Sequence, residues 1–228
     1  MSPESQLERA TRRSRRLLFD RVAALYDTAR PACTDDVVDH LLAVAGLTAA
    51  SRVLEVGCGT GQLTERLAAR GVQLTAIDIG AGMVAAARRR VASCGSVDLR
   101  VTSYEELVAE DGTFDLIVSA DAFHWVLQRL WRSDDGGAWL RDPRPTVAEA
   151  LGWSEDFAIP SEVSYRRRLT MSPSTVLDLE NTRATSLSWS DGERRAFIEA
   201  LTAQLPAGRV HLTQVATVAM AQVVRPEP

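Results

Sequence analysis

The residues best suited to chemistry lie in Glu55-Val56-Gly57-Cys58-Gly59-Thr60-Gly61, where glycine recurs at every second position. Glycine permits tight turning and close backbone approach to a ligand, and N–H groups at a following helix start favour an anion such as a carboxylate or phosphate. A dinucleotide fingerprint G-x-G-x-x-G would need its third glycine at position 62, which is Gln62, so the spacing disfavours NAD. Asp78 follows at the end of an apolar run, where a carboxylate can accept bonds from both hydroxyls of a ribose. His124, with an unperturbed pKa near ~6.5, is the histidine expected near this group and the candidate general base.

These groups need a scaffold that brings a loop and a strand end together, and the hydrophobic pattern supplies one. Arg52–Val56 predicts a strand running into the glycine loop; Leu63 and Leu67 mark a helix closed by Gly71. Leu74–Ile77 predicts a second strand, Met83–Val91 a helix, Val97, Leu99 and Val101 a third strand, and Phe114–Ser119 a fourth. Strands alternating with helices imply a parallel sheet covered on both faces. Upstream, Leu18, Val22, Leu25 and Tyr26 share a helical stripe that Arg30-Pro31 stops; Thr34 is the expected N-cap of a helix carrying Val37, Val38, Leu41 and Leu42, ended by Gly46. Downstream, Val163, Tyr165, Arg167 and Leu169 alternate as a strand, Ser174–Ser186 and Asp191–Leu205 read as helices, and Val210–Val224 as a last strand or pair.

Composition narrows the functional classes. All 26 basic residues are arginine, so lysine Schiff bases, pyridoxal anchors and Lys-bearing phosphate loops are excluded. A net charge of −4 argues against nucleic-acid binding and for a small-molecule partner. Cys33, Cys58 and Cys94 form neither a C-x-x-C pair nor an even set, which suggests a reducing cytoplasm and no metal site, with Cys58 passive. No apolar run approaches the ~18 residues of a membrane span. The arginine-rich start (Arg9, Arg12, Arg13, Arg15, Arg16) and the triplets Arg88–Arg90 and Arg166–Arg168 read as solvated faces.

Residues 19–125 resemble class I S-adenosylmethionine-dependent methyltransferases, in particular small bacterial members similar to trans-aconitate methyltransferases. The resemblance rests on the glycine loop; on Ala76-Ile77-Asp78-Ile79 with Met83; on Thr102-Ser103-Tyr104-Glu105; on Phe114-Asp115-Leu116-Ile117-Val118-Ser119 leading to Phe123-His124-Trp125; and on Phe19-Asp20-Arg21-Val22-Ala23 with Tyr26-Asp27. It implies S-adenosylmethionine as cofactor. By analogy Gly57, Gly59 and Gly61 would approach the methionyl part, Glu55 would help hold its ammonium, and Asp78 would grip the ribose. Ile79 and Met83 would lie against the adenine, Tyr104 and Glu105 at its edge, Ser119 and Ala120 beside the sulfonium, and Tyr26 would close over the whole.

The expected fold is therefore a Rossmann-like α/β methyltransferase core. Its parts are an Arg-rich tail (1–16), a cofactor-binding core (17–125), a compressed variable segment (126–160), and C-terminal strands and helices (161–228) completing the same domain. Only ten residues, Val126–Asp135, separate Trp125 from Gly136-Gly137, whereas a parallel crossover usually needs about a dozen or more. The fifth strand is thus stunted at Gly137–Arg141 or absent, with the last strands, antiparallel, pairing directly with the fourth; absence is the favoured reading. An open fourth strand would invite pairing between chains and a homodimer. Smaller departures are Cys33-Thr34, Asp121 where an amide is common, and Gly80-Ala81-Gly82. The reading is methyl transfer to a small carboxylate or hydroxyl compound, with Tyr26 and His124 beside the reaction. The alternative is a methyltransferase-like fold acting as a cyclase or binding protein.

Overall fold

The structure, a computed structural model, describes residues 14, 17–95, 97–122, 147–152 and 155–224. A 3-10 turn, Phe19–Val22, leads into α1 (Ala23–Ala29) and α2 (Asp35–Val44). The core then alternates β1 (Arg52–Val56), α3 (Gln62–Ala68), β2 (Gln73–Asp78), α4 (Ala81–Arg90), β3 (Val97–Val101) and β4 (Leu116–Val118). After α5 (Val147–Gly152) come β5 (Ser161–Met171), α6 (Pro173–Asn181), α7 (Ala184–Ser188), α8 (Asp191–Gln204) and β6 (Val210–Met220).

The first four strands form one parallel sheet in the order β3-β2-β1-β4, with Val53 opposite both Leu74 and Leu116. Central β1 is buried from Val53 through Val56, the pattern of a parallel strand covered on both faces. Period-2 alternation then divides its side chains. Val53 joins Val38 and Leu41 of α2, Leu63 and Leu67 of α3 and Leu74 of β2 in one cluster, and Leu54 and Val56 join Ile77 on the opposite face under Leu107 and Phe114. Ala87 of α4 packs on Ala76 of β2. The β3–β4 crossover carries a 3-10 turn, Tyr104–Glu106.

β5 and β6 pair with each other, antiparallel from Ser161 opposite Met220 to Met171 opposite Val210, in a sheet of their own. The expectation that the last strands pair with the fourth is therefore corrected: among the described residues β4 hydrogen-bonds to β1 alone. Val218 and Met220 instead reach the core through side chains, against the cluster that also takes Leu116 and Val118. The proposed fifth strand, Gly137–Arg141, lies outside the described residues.

Local signals account for most boundaries, with three exceptions. Thr34 occupies the N-cap of α2 in extended backbone, yet its side chain makes no capping bond. Asp35 and Asp39 tie that helix to Arg66 of α3 and to Arg70 just beyond it instead. The single helix expected over Ser174–Ser186 is two, broken at Thr182, which is fully buried and accepts from Arg30. The arginine triplets are not wholly solvated: Arg90 bonds Asp27, Glu65 and the Thr60 carbonyl, and Arg167 donates to Gln214 and to the Ala32 carbonyl.

Candidate active site

A pocket opens where the C-terminal ends of β1, β2, β3 and β4 converge, the position at which open parallel sheets hold ligands. At its β2 end stands Asp78. Its Oδ2 accepts from the Gly59 N–H at 3.0 Å and its Oδ1 from the Gly80 N–H at 2.8 Å, which leaves each oxygen a further lone pair for a ligand. Burial raises the pKa of this carboxyl; the backbone N–H groups of Gly80, Gly59 and Ile79 oppose that rise, and nearby Asp20 adds to it. Ile79 and Met83 supply an apolar wall, with Thr102, Ser103 and Tyr104 also lining the pocket.

At the β1 end, Gly57 has a φ of +75°, and a Cβ there would lie 2.4 Å from the Cβ of Ala122. Only glycine lets the loop after β4 cross so closely, so Gly57 builds the wall rather than merely exposing backbone. Four of the loop's N–H groups bond within the protein. Those of Gly57 and Cys58 donate to the Ile77 carbonyl, that of Gly59 to Asp78, and that of Gly61 to the Cys58 carbonyl. At these positions the loop acts through close approach.

Tyr26 of α1 lines the same pocket, with Phe19 edge-on to its ring at 5.9 Å between centroids. Arg30 sits 5.0 Å from the Tyr26 ring centre and donates to both the hydroxyl and the carbonyl of Thr182. Burial raises the phenol's pKa; Arg30 lowers it, and Asp121 and Asp78 raise it further. α1 is held over the sheet by Arg90 to Asp27 and by Gln62 to the Asp27 and Arg30 carbonyls.

Of the sequence candidates, the structure brings Tyr26, Gly57, Gly59, Asp78, Ile79, Met83 and Tyr104 to one pocket. Glu55, Gly61, Glu105 and Ser119 lie outside its lining. Glu55 shares the α3-facing side of β1 with Val53; it is 2% exposed and accepts from Thr64 Oγ1 at 2.7 Å. Burial pushes its pKa up to about 8 against the pull of the Thr64 bond. Gly61 starts α3 and lies against Ala87 of α4. Ser119 donates to the Val56 carbonyl at 2.8 Å, locking β4 to β1, while Glu105 is on the exposed side of its turn. His124 lies outside the described residues.

Sequence reasoning missed the parts that depend on tertiary approach. Asp20 Oδ1 accepts from the Met83 N–H at 3.0 Å, and a Cβ on Gly80 or Gly82 would stand 2.7 or 2.8 Å from that oxygen. The paired glycines around Ala81 were the available signal. Asp121 and Ala122 line the pocket beside Ala120, and Asp121 has φ +54°, the positive-φ non-glycine residue among those described. Among the described residues no cluster of His, Cys, Asp or Glu could hold a metal, and no helix is long and apolar enough to cross a membrane.

This arrangement is that of a doubly wound protein with a nucleoside-sized site at its strand ends. Residues 53–133 match the methyltransferase domain family. An uncharacterized methyltransferase of Mycobacterium tuberculosis is 35% identical over 120 residues, covering 51% of this chain and 45% of the relative. The malonyl-[acyl-carrier protein] O-methyltransferase of Geobacter sulfurreducens is 37% identical over 119 residues, covering 50% of this chain and 44% of that protein. The crystal structure of the YcgJ protein from Bacillus subtilis aligns with a TM-score of 0.52 at 13% identity, over 83% of this chain and 98% of that one, a likeness of fold. The chain spans somewhat under half the length of the curated relatives it matches. Residues 53–133 are thus a methyltransferase domain of the class I, S-adenosylmethionine-dependent type.

The residues present fit that cofactor. Asp78 retains acceptor capacity for two hydroxyls, Ile79 and Met83 form an apolar wall suited to a purine, and Gly57 and Gly59 keep side chains out of the space between them and β4.

Proposed function

We propose that the chain transfers the methyl group of S-adenosylmethionine to a small-molecule acceptor in the cytoplasm, a carboxylate or hydroxyl compound. The observation that carries this reading is Asp78, fixed by two glycine N–H groups with acceptor capacity left over, facing an apolar wall on one side and Gly57 on the other. Residues 17–125 act as the cofactor-binding core, and 161–228 complete the same domain. The cofactor supplies a methyl group already activated on a sulfonium, so the protein's task is alignment.

In this reading Asp78 accepts bonds from the ribose hydroxyls, Ile79 and Met83 pack on the purine, and Tyr104 flanks its edge. Tyr26, steadied by Arg30 and Phe19, closes the pocket and excludes water. A hydroxyl acceptor must lose a proton as it is methylated, and His124 is the proposed base. Asp121 at the pocket wall favours that uncharged acceptor over a carboxylate, which it repels. The outer edge of β4, which pairs with no strand among the described residues, is the proposed homodimer contact.

Calorimetry with S-adenosylmethionine and S-adenosylhomocysteine tests the cofactor; no heat from either ligand rejects the proposal. Methyl transfer from labelled cofactor to matched panels of alcohols, phenols and carboxylic acids tests the acceptor, and unaltered turnover in His124→Ala removes the proposed base. Light scattering across concentrations tests the dimer, for which a monomer mass throughout is the opposing result.

A further inference from the structure

We infer that Asp121 is a charge-selecting residue that makes the pocket prefer the methyl-bearing cofactor over the spent one. The inference rests on the methyltransferase reading above and concerns the end of the pocket away from Asp78. With the ribose on Asp78 at β2, the rest of the cofactor is left with the β1–β4 end, walled by Gly57, Ala120, Asp121 and Ala122.

The charged residues in the described lining are Asp78 and Asp121, both acidic. The nearest described cation on this side, Arg30, stands behind the Tyr26 ring and is engaged by Thr182. Asp20 is committed to the Met83 N–H at the Asp78 end. Asp121 is exposed, lines the pocket wall and has no hydrogen-bond partner among the described residues. Its φ of +54° is a backbone region that only glycine and, less readily, asparagine and aspartate adopt. The turn thus selects an Asx side chain, and the sequence holds the charged one.

Methyl transfer breaks the methyl–sulfur bond, leaves its electron pair on sulfur, and forms the methyl–acceptor bond. Sulfur thereby goes from cationic to neutral. A carboxylate facing that end holds the sulfonium by Coulomb attraction and loses this hold on the thioether, so Asp121 aids exchange of product for fresh cofactor.

The test compares binding of two defined probes, S-adenosylmethionine and S-adenosylhomocysteine, by calorimetry to wild type, Asp121→Asn and Asp121→Glu. Asparagine suits the left-handed backbone at least as well as aspartate, so the neutral variant keeps the loop. The expected result is that Asp121→Asn weakens S-adenosylmethionine about tenfold and leaves S-adenosylhomocysteine within about twofold, while Asp121→Glu retains most of the preference. In wild type the preference should shrink as salt rises, and in Asp121→Asn it should not. Equal weakening of both probes, or no change in their ratio, overturns the inference and leaves the cofactor reading intact. Failure of wild type to bind either probe overturns both.

Discussion

The parallel core and the C-terminal hairpin are built on opposite terms. In the core, β1 is buried on both faces and each of its side chains has a helix or a neighbouring strand to meet. In the hairpin, eleven-residue strands alternate, with Arg166, Arg168, Thr213 and Val215 outward and Tyr165, Arg167, Leu212 and Gln214 inward. α8 has no buried residue at all. The hairpin and its helices join the core through Val218 and Met220 on its apolar cluster and through a few specific links: Arg167 to the Ala32 carbonyl, Tyr165 against His40, and Arg30 to Thr182. The pocket belongs to the doubly buried region, and the C-terminal region reaches it through Arg30, which braces Tyr26. Chemistry that needs fixed distances sits where packing is continuous, and the attachment combines a small apolar contact with separate polar ties.

That contrast can be broken most forcefully at Glu55. Its folded pKa of about 8 lies above the ordinary carboxyl value of 4.5, so the folded chain holds a proton that the unfolded chain releases. The stability from this group is full below about pH 4.5 and is lost as pH rises toward 8, by roughly 3–5 kcal/mol. Urea titrations across that range should show the decline, and Glu55→Gln should flatten it. A wild-type stability that rises over the same interval would count against the buried, proton-holding carboxyl.

Gly57→Val is the next test, because a side chain there meets Ala122 and forces a branched residue to a φ of +75°. A loss of about 2–4 kcal/mol in stability, together with loss of cofactor binding, is expected. Asp78→Ala should leave the fold close to intact and weaken S-adenosylmethionine by ~1.5–3 kcal/mol in calorimetry, since bonds to a charged group are lost. Unchanged affinity would remove Asp78 from the ribose role.

Changes at the junction should be smaller. Arg167→Ala removes one tie to the Ala32 carbonyl and one to Gln214 and should cost about 1–2 kcal/mol of stability without altering cofactor affinity. Arg30→Ala should cost a similar amount but also weaken cofactor binding a few-fold, because it supports Tyr26. If both variants behaved alike, the distinction between a bracing link and a purely structural one would fail.

Much of this was legible in the sequence because it is local. The period-2 and helical patterns placed all four parallel strands and α2 through α4, since burial on each face selects residues at fixed spacing. The glycine loop and Asp78 announced a shared strand-end pocket because turn geometry and a strand-end carboxylate are written in consecutive residues. Glu55 sits in the same motif, but strand alternation turns it toward Thr64 and leaves it out of the pocket lining. Arg90 and Arg167 look like members of charge runs, and only their distant partners, Asp27 and Glu65 for one and the Ala32 carbonyl for the other, make them structural.

By itself, then, the sequence determined the alternating α/β core, the absence of lysine chemistry, and the pairing of a glycine loop with a strand-end acid. Tertiary structure alone decided which motif residues face the pocket, that β5 and β6 keep to their own sheet, and that Asp20, Asp121 and Thr182 matter. The physical reason is range. Periodicity and turn chemistry act between near neighbours in the chain, whereas a pocket wall and a partly buried ion pair such as Arg90–Asp27 are made by residues whose proximity exists only after the sheet has formed.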